Sequence, residues 1–269
     1  MTDHATDHDH AAFLPPLLAL DALVHASVLD QAIEAAAFHA AVTDTSTVFD
    51  IGAGTGTGTF ALAAKYPTAQ VLAIDVDADM LATVRSRAEH EQMGDRIGTA
   101  HLDVGDAGFD VGPADMIWSS NALHEVPDAA AAFGNMFRSL RRGGVLVVLE
   151  MESPPSVLPT EHQLLENALR AAAGADGPGP DWSSDIRTAG FDIVETRSVT
   201  SDQLLPADGP GGEYAVLELR RLLHHARPAL TEKASAEIRA LVTDLSRGHQ
   251  LLTNVHIRGA RTLWVARRP

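Results

Sequence analysis

Val48-Phe-Asp-Ile-Gly-Ala-Gly-Thr-Gly-Thr-Gly-Thr-Phe-Ala-Leu-Ala-Ala-Lys-Tyr-Pro67 is the stretch that decides the fold. Val48, Phe49 and Ile51 make a short apolar run suited to a buried strand, and Thr59 to Lys65 reads as a helix. Between them Gly52, Gly54, Gly56 and Gly58 alternate, a density that backbone entropy disfavours inside a helix or a strand. In an elbow from strand to helix the same glycines let the chain turn sharply and approach a ligand closely. The helix start offers free N–H groups, which suit anionic groups. A small-molecule cradle is the expectation.

The dinucleotide fingerprint G-x-G-x-x-G is not met, because after Gly52 and Gly54 its third glycine would fall on Thr57. A nicotinamide oxidoreductase therefore ranks last among the readings. What stands here is D-x-G-x-G-x-G, with Asp50 closing the strand, and it resembles the first motif of class I S-adenosylmethionine (SAM)-dependent methyltransferases. A carboxylate there suits a ligand carrying an ammonium and a sulfonium. Val71 to Asp75 reads as a second buried strand ending in an acid. Asp75 stands 23 residues after Gly52, about where α/β nucleotide sites hold ribose hydroxyls.

The resemblance covers roughly residues 45 to 152 and is to the small-molecule branch, of the ubiquinone/menaquinone-biosynthesis or natural-product type. It implies an α/β fold with a doubly wound, mostly parallel, seven-stranded Rossmann-like sheet, and SAM as cofactor. On the cofactor side it implies Asp50, Gly52, Ala53, Gly54, Thr55, Gly56, Asp75, Val76, Met80, Asp103, Val104 and Ser119. Met80 either touches the adenine or fills the core. The acid that takes the adenine amino group is Asp103, at the end of a strand near Gly98 to Leu102, or else Asp106.

Asp115 to Ser120 reads as strand four, followed by Asn121-Ala-Leu-His124-Glu125-Val-Pro-Asp128, which resembles the family's fourth motif beside the transferable methyl. His124 is the candidate catalytic base, since an imidazole pKa near 6.5 makes it available at neutral pH; the alternative is a histidine that hydrogen-bonds backbone at the strand exit. Glu125 either orients His124 or faces solvent. Glu150 and Glu152 either contact the acceptor or serve surface and capping roles. Asp77 or Asp79 caps a helix reaching about His90, and Asp128 caps one reaching about Arg141. Leu140 to Gly144 reads as a turn before an apolar strand five, Val145 to Leu149.

Outside this core the pattern loosens. Residues 1–10 read as a disordered leader, in which His4, His8 and His10 could at most form a metal-binding tail. Phe13 to Ala41 reads as two cap helices spanning 11–44. The rest, 153–269, reads as an acceptor-side half of the same single domain. It holds a helix over Thr160 to Ala173, a loop Gly174 to Pro180, a short helix Trp182 to Ala189 and strand six over Gly190 to Val199. A helical insertion of about 204–258 (Gly212 to Ala226, Leu230 to Arg247) precedes a last strand, Thr262 to Ala266. The insertion is expected to serve as a lid or as a homodimer surface.

Composition narrows the function. A net charge of −16 over 269 residues argues against a nucleic-acid partner, which needs clustered Lys and Arg. With no cysteine there is no disulfide and no thiolate chemistry. The start is no signal peptide, and no apolar run reaches the ~18 residues of a membrane span, so a cytoplasmic protein without a membrane partner is expected. His224-His225, His249 and His256 do not complete a metal set at helical spacing. The partner expected is a small, partly apolar methyl acceptor, methylated at O, N or C. The alternatives are a SAM-binding protein that catalyses another reaction, such as a cyclisation, or a non-catalytic scaffold.

Overall fold

A computed structural model describes residues 5–42, 46–226, 230–247 and 251–269. Two helices, α1 (Ala5–Val24) and α2 (Ala26–His39), precede the first strand. Strands and helices then alternate: β1 (Thr47–Ile51), α3 (Thr57–Lys65), β2 (Gln70–Asp75), α4 (Ala78–His90), β3 (Ile97–His101) and β4 (Ala114–Ser120). A 3-10 turn at Leu123–Glu125 leads to α5 (Ala129–Ser139) and β5 (Leu140–Met151). The last part holds α6 (Gln163–Ala172), α7 (Ser183–Thr188), β6 (Asp192–Pro206), α8 (Pro210–Ala226), α9 (Glu232–Arg247) and β7 (Asn254–Arg267). No single helix among the described residues is long and apolar enough to cross a membrane.

The seven strands form one sheet in the order β3-β2-β1-β4-β5-β7-β6. Neighbours from β3 to β5 run parallel, and β7 pairs with β5 antiparallel, Leu263 opposite Leu149. From β1 the chain builds outward to β3 on one side and from β4 outward on the other. The order therefore reverses between β1 and β4, where open α/β sheets form their ligand crevice beyond the strands' carboxyl ends.

The chain groups into two compact units, each drawn from three segments. A sheet unit comprises Leu29–Met151, Pro180–Val199 and Arg261–Pro269; a helical unit comprises Met1–Val28, Glu152–Gly179 and Thr200–Ala260. Phe49, Ile117, Phe133, Leu146 and Trp264 lie in the core of the sheet unit. Leu158, Leu169, Tyr214, Leu219, Ile238 and Val255 lie in that of the helical unit. The proposed cap 11–44 is thus divided after Val28, with most of α2 in the sheet unit.

Several boundaries move for physical reasons. Residues 5–10, read as leader, belong to α1, while His4 lies outside the described residues. Leu140 to Gly144, read as a turn, forms an irregular start of β5: Leu140 pairs with Ala114, the register then shifts before Val145 meets Met116, and Gly143 takes φ near 79°. β6 and β7 outrun their apolar runs, because alternating, half-exposed residues extend both; the insertion shrinks to 207–253. The loop Gly174 to Pro180 is pinned by Gly179 N donating to the Glu152 carbonyl at 2.6 Å.

Candidate active site

The glycine turn leaves β1 with Gly52, Gly54 and Gly56 all at positive φ, near 69°, 52° and 87°, a region that side chains disfavour. A Cβ on Gly52 would stand 2.2 Å from the Ala122 Cβ, so the turn lies directly against the loop that leaves β4. Gly52 N and Ala53 N donate to the Ile74 carbonyl, and Gly56 N to that of Ala53. Gly54 N donates to Asp75 Oδ2 at 2.7 Å and Asp77 N to Asp75 Oδ1 at 2.9 Å. Each Asp75 oxygen thus takes one N–H, and a carboxylate offers about four acceptor positions. Two remain for a ligand. Thr55 is half-buried, Val76 is 63 % exposed and Met80 sits in the first turn of α4, whose cap is Asp77 rather than Asp79.

Asp50 lies at the buried end of β1. Strand residues alternate faces, and Asp50 shares the face of Val48, not that of Phe49 and Ile51. Its carboxyl is only 2 % exposed, accepts from Thr59 Oγ1 at 2.6 Å and ties down the start of α3. Burial pushes its pKa from the ordinary 3.8 up to about 6, against the hydrogen bonds from Thr59. It braces the start of α3 from beneath. Val104 and Ser119 are also interior: Val104 packs in the core, and Ser119 Oγ donates to the Ile51 carbonyl. Asp103 Oδ1 accepts from Gly105 N at 2.7 Å, whereas Asp106 is exposed and its carbonyl takes Asn135 Nδ2. His101 Nε2 lies 2.8 Å from the Val76 carbonyl and so braces the loop after β2.

At the exit of β4, Asn121 adopts φ near 51° and its buried Oδ1 has no partner among the described residues. Two residues on, the 3-10 turn meets Glu150 on β5. Glu150 is 1 % exposed; its Oε1 accepts from Ala122 N at 3.1 Å and Leu123 N at 2.8 Å, and its Oε2 from His124 Nδ1 at 2.8 Å. His124, its side chain 34 % exposed, also approaches Glu125 Oε1 through Nε2 at 3.4 Å. The hydrogen bond to Glu150 raises the His124 pKa, burial opposes it, and the charges of Glu150 and Glu125 add to the rise. With Nδ1 donating to Glu150, the neutral ring presents Nε2 as an acceptor. Glu150 and Asn121 are the residues that sequence reasoning missed as partners of this loop. Glu152 lies instead in the helical unit.

Among the described residues no group of three or more His, Asp or Glu could hold a metal ion. His224 and His225 meet edge to face, His256 pairs with Asp202 at 2.6 Å, and His249 lies outside the described residues.

Residues 48–144 match the model of a methyltransferase domain family. The demethylmenaquinone methyltransferase of Clavibacter sepedonicus is 30% identical over 189 residues, 62% of this chain and 75% of the relative. This chain belongs to the class I SAM-dependent methyltransferase family. The methyltransferase fold recurs in the YcgJ protein of Bacillus subtilis, with a TM-score of 0.56 at 15% identity, over 91% of this chain and 100% of the other. It recurs also in phosphoethanolamine N-methyltransferase 2 of Haemonchus contortus, solved with S-adenosylhomocysteine (TM-score 0.52, 16% identity, 89% of this chain and 52% of that one). Within this methyltransferase, the matched segment holds the glycine turn, Asp75, Asn121 and His124, but ends short of Glu150.

Proposed function

We propose that this methyltransferase uses SAM to methylate a small, partly apolar acceptor, releasing S-adenosylhomocysteine. The observation that carries the reading is the side-by-side seating of the Gly52–Gly56 turn and the Asn121–His124 loop at the β1/β4 reversal, with Asp75 beside them. The residues fit the cofactor. Asp75 keeps two acceptor positions for ribose hydroxyls, the side-chain-free turn admits the amino-acid end, and orphaned Asn121 Oδ1 accepts from its ammonium. Exposed Val76 flanks the adenine, whose amino group falls to Asp103. When bound, the cofactor supplies an electrophilic methyl on a sulfonium. The chain's own work is to align the acceptor, worth roughly 7–11 kcal/mol when geometry is well held, and to keep water out.

Calorimetry with SAM and S-adenosylhomocysteine tests this reading. Wild type is expected to bind both in the micromolar range, and Asp75→Ala to lose at least about 100-fold, roughly 2.7 kcal/mol. A wild type that binds neither ends the proposal. Mass spectrometry of a turned-over acceptor is expected to show the gain of one CH2. A product of unchanged mass would assign the fold to a cyclisation or other non-methylating reaction instead.

A further inference from the structure

Burying a carboxylate is costly unless its partners repay the lost hydration. The neighbours of Glu150 on β5, Val147, Val148 and Leu149, are all apolar and fully buried, so the strand itself calls for no acid. Yet every partner of Glu150 lies in one loop: Ala122 N and Leu123 N on one oxygen, His124 Nδ1 on the other. The same loop abuts the glycine turn, since the Ala122 Cβ fills the space a Gly52 side chain would need. We infer that Glu150 is a positioning residue that holds His124 Nε2 as proton acceptor beside the methyl donor, and that the acceptor is a phenol or an enol. The inference rests on the SAM-dependent reading above and names its substrate class.

Chemistry selects that class. A neutral amine attacks with a lone pair it already has, and needs no base before the C–N bond forms. A hydroxyl gains most from losing its proton as it attacks. A phenol, with a pKa of about 10, is three to four orders of magnitude less acidic than imidazolium at about 6.5. An alkanol, about as weak an acid as water, lies several orders of magnitude further away. The Glu150 and Glu125 carboxylates both favour imidazolium and so narrow either gap, of which the phenol's is by far the smaller. In the step, the hydroxyl proton passes to Nε2 while an oxygen lone pair forms the new O–C bond. The C–S bond breaks with its electron pair left on sulfur, which leaves a methyl ether, a neutral thioether and an imidazolium that later returns its proton to water.

The test uses the full chain as wild type and as Glu150→Gln. The glutamine keeps an oxygen for the two backbone N–H groups but turns an N–H donor toward His124. NMR of the histidine ring nitrogens in the free protein is expected to show neutral His124 protonated at Nδ1 in wild type. In Glu150→Gln the proton is expected at Nε2, with a lower pKa. SAM affinity by calorimetry is expected to stay within about twofold, because no Glu150 atom is needed to hold the cofactor. Catechol and acetylacetone, followed by S-adenosylhomocysteine release, are expected to be methylated in preference to aniline and benzyl alcohol, at a rate that rises with pH as His124 deprotonates. Glu150→Gln is expected to lower kcat about 100-fold, within the range for a lost general base, with KM little changed. Preference for aniline or benzyl alcohol, inertness of both hydroxyl probes with a wild type that binds SAM, or an unaltered kcat and pH profile in Glu150→Gln would each overturn the inference. Failure of wild type to bind SAM would instead sink the cofactor reading, and the NMR would still report whether Glu150 sets the His124 tautomer.

Discussion

A buried carboxyl whose pKa sits near 6 links the cofactor turn to pH. Asp50 binds its proton more tightly when folded, at about 6, than at the ordinary 3.8. Between these two values the folded state holds more protons than the unfolded one, so this group makes stability fall as pH rises and then level off above about 6. The full step is about 3 kcal/mol for a completely buried group. Asp50→Asn removes the titration while keeping an acceptor for Thr59 Oγ1. Relative to wild type, its Tm is therefore expected to climb between about pH 4 and pH 6, since the step runs from 3.8 to about 6. A constant Tm difference across that window would show that Asp50 is not the group responsible. At Asn121 the expectation concerns the ligand. Asn121→Gly tolerates the left-handed backbone without strain but removes the orphaned oxygen, and SAM is expected to bind about tenfold more weakly by calorimetry, near 1.4 kcal/mol.

Among the elements, the first turn of α3 is held by packing that forbids what helix propensity would favour. A Cβ on Gly58 would lie 2.9 Å from Trp118 Nε1 and 3.0 Å from Asp50 Oδ2, both fully enclosed. Gly134 in α5 offers a control, because its Cβ would meet only Arg138 Nη1, at 3.5 Å. Gly134→Ala is expected to stabilise by up to about 1 kcal/mol, whereas Gly58→Ala is expected to cost about 1–3 kcal/mol by overpacking; urea midpoints of the two variants check both signs. The strands of the sheet were legible because β1, β2, β4 and β5 are largely apolar and buried on both faces. The first half of β7 was not, since buried Val255 and Ile257 alternate with half-exposed residues and a half-exposed run, Arg258 to Ala260, follows them as in many loops. Asp75 could be placed from spacing alone, because strand and turn are local in the chain. The role of Glu150 could not, because its partners lie 26 to 28 residues earlier and meet it only through the pairing of β4 with β5. The burial of Asp50 was not legible either, since the parity of a five-residue strand depends on what packs against each face.

Taken whole, the sheet unit reaches well beyond the segment that carries the family's motifs. The family match ends at residue 144, and the resemblance read from sequence ends near 152. The sheet unit, however, also needs Pro180–Val199 and Arg261–Pro269. Val145 to Met151 pairs along its whole length with Arg267 to Arg261, and Trp264 sits in the sheet core with its Nε1 donating to Ser183 Oγ at 3.0 Å. A chain ended after Met151 would expose one edge of β5, a long apolar strand of the kind that pairs with other chains, and would strip Phe133 of its Trp182 neighbour. Such a fragment is expected to aggregate, or to keep helical circular dichroism while losing dispersed side-chain NMR signals, despite containing every proposed cofactor residue. In the full chain, Trp264→Ala is expected to cost about 3–5 kcal/mol, as for other buried aromatics cut to alanine, measured by urea unfolding. A soluble 1–151 fragment that binds SAM with the affinity of the full chain would show that the last strand serves the acceptor side alone and not the stability of the cofactor half.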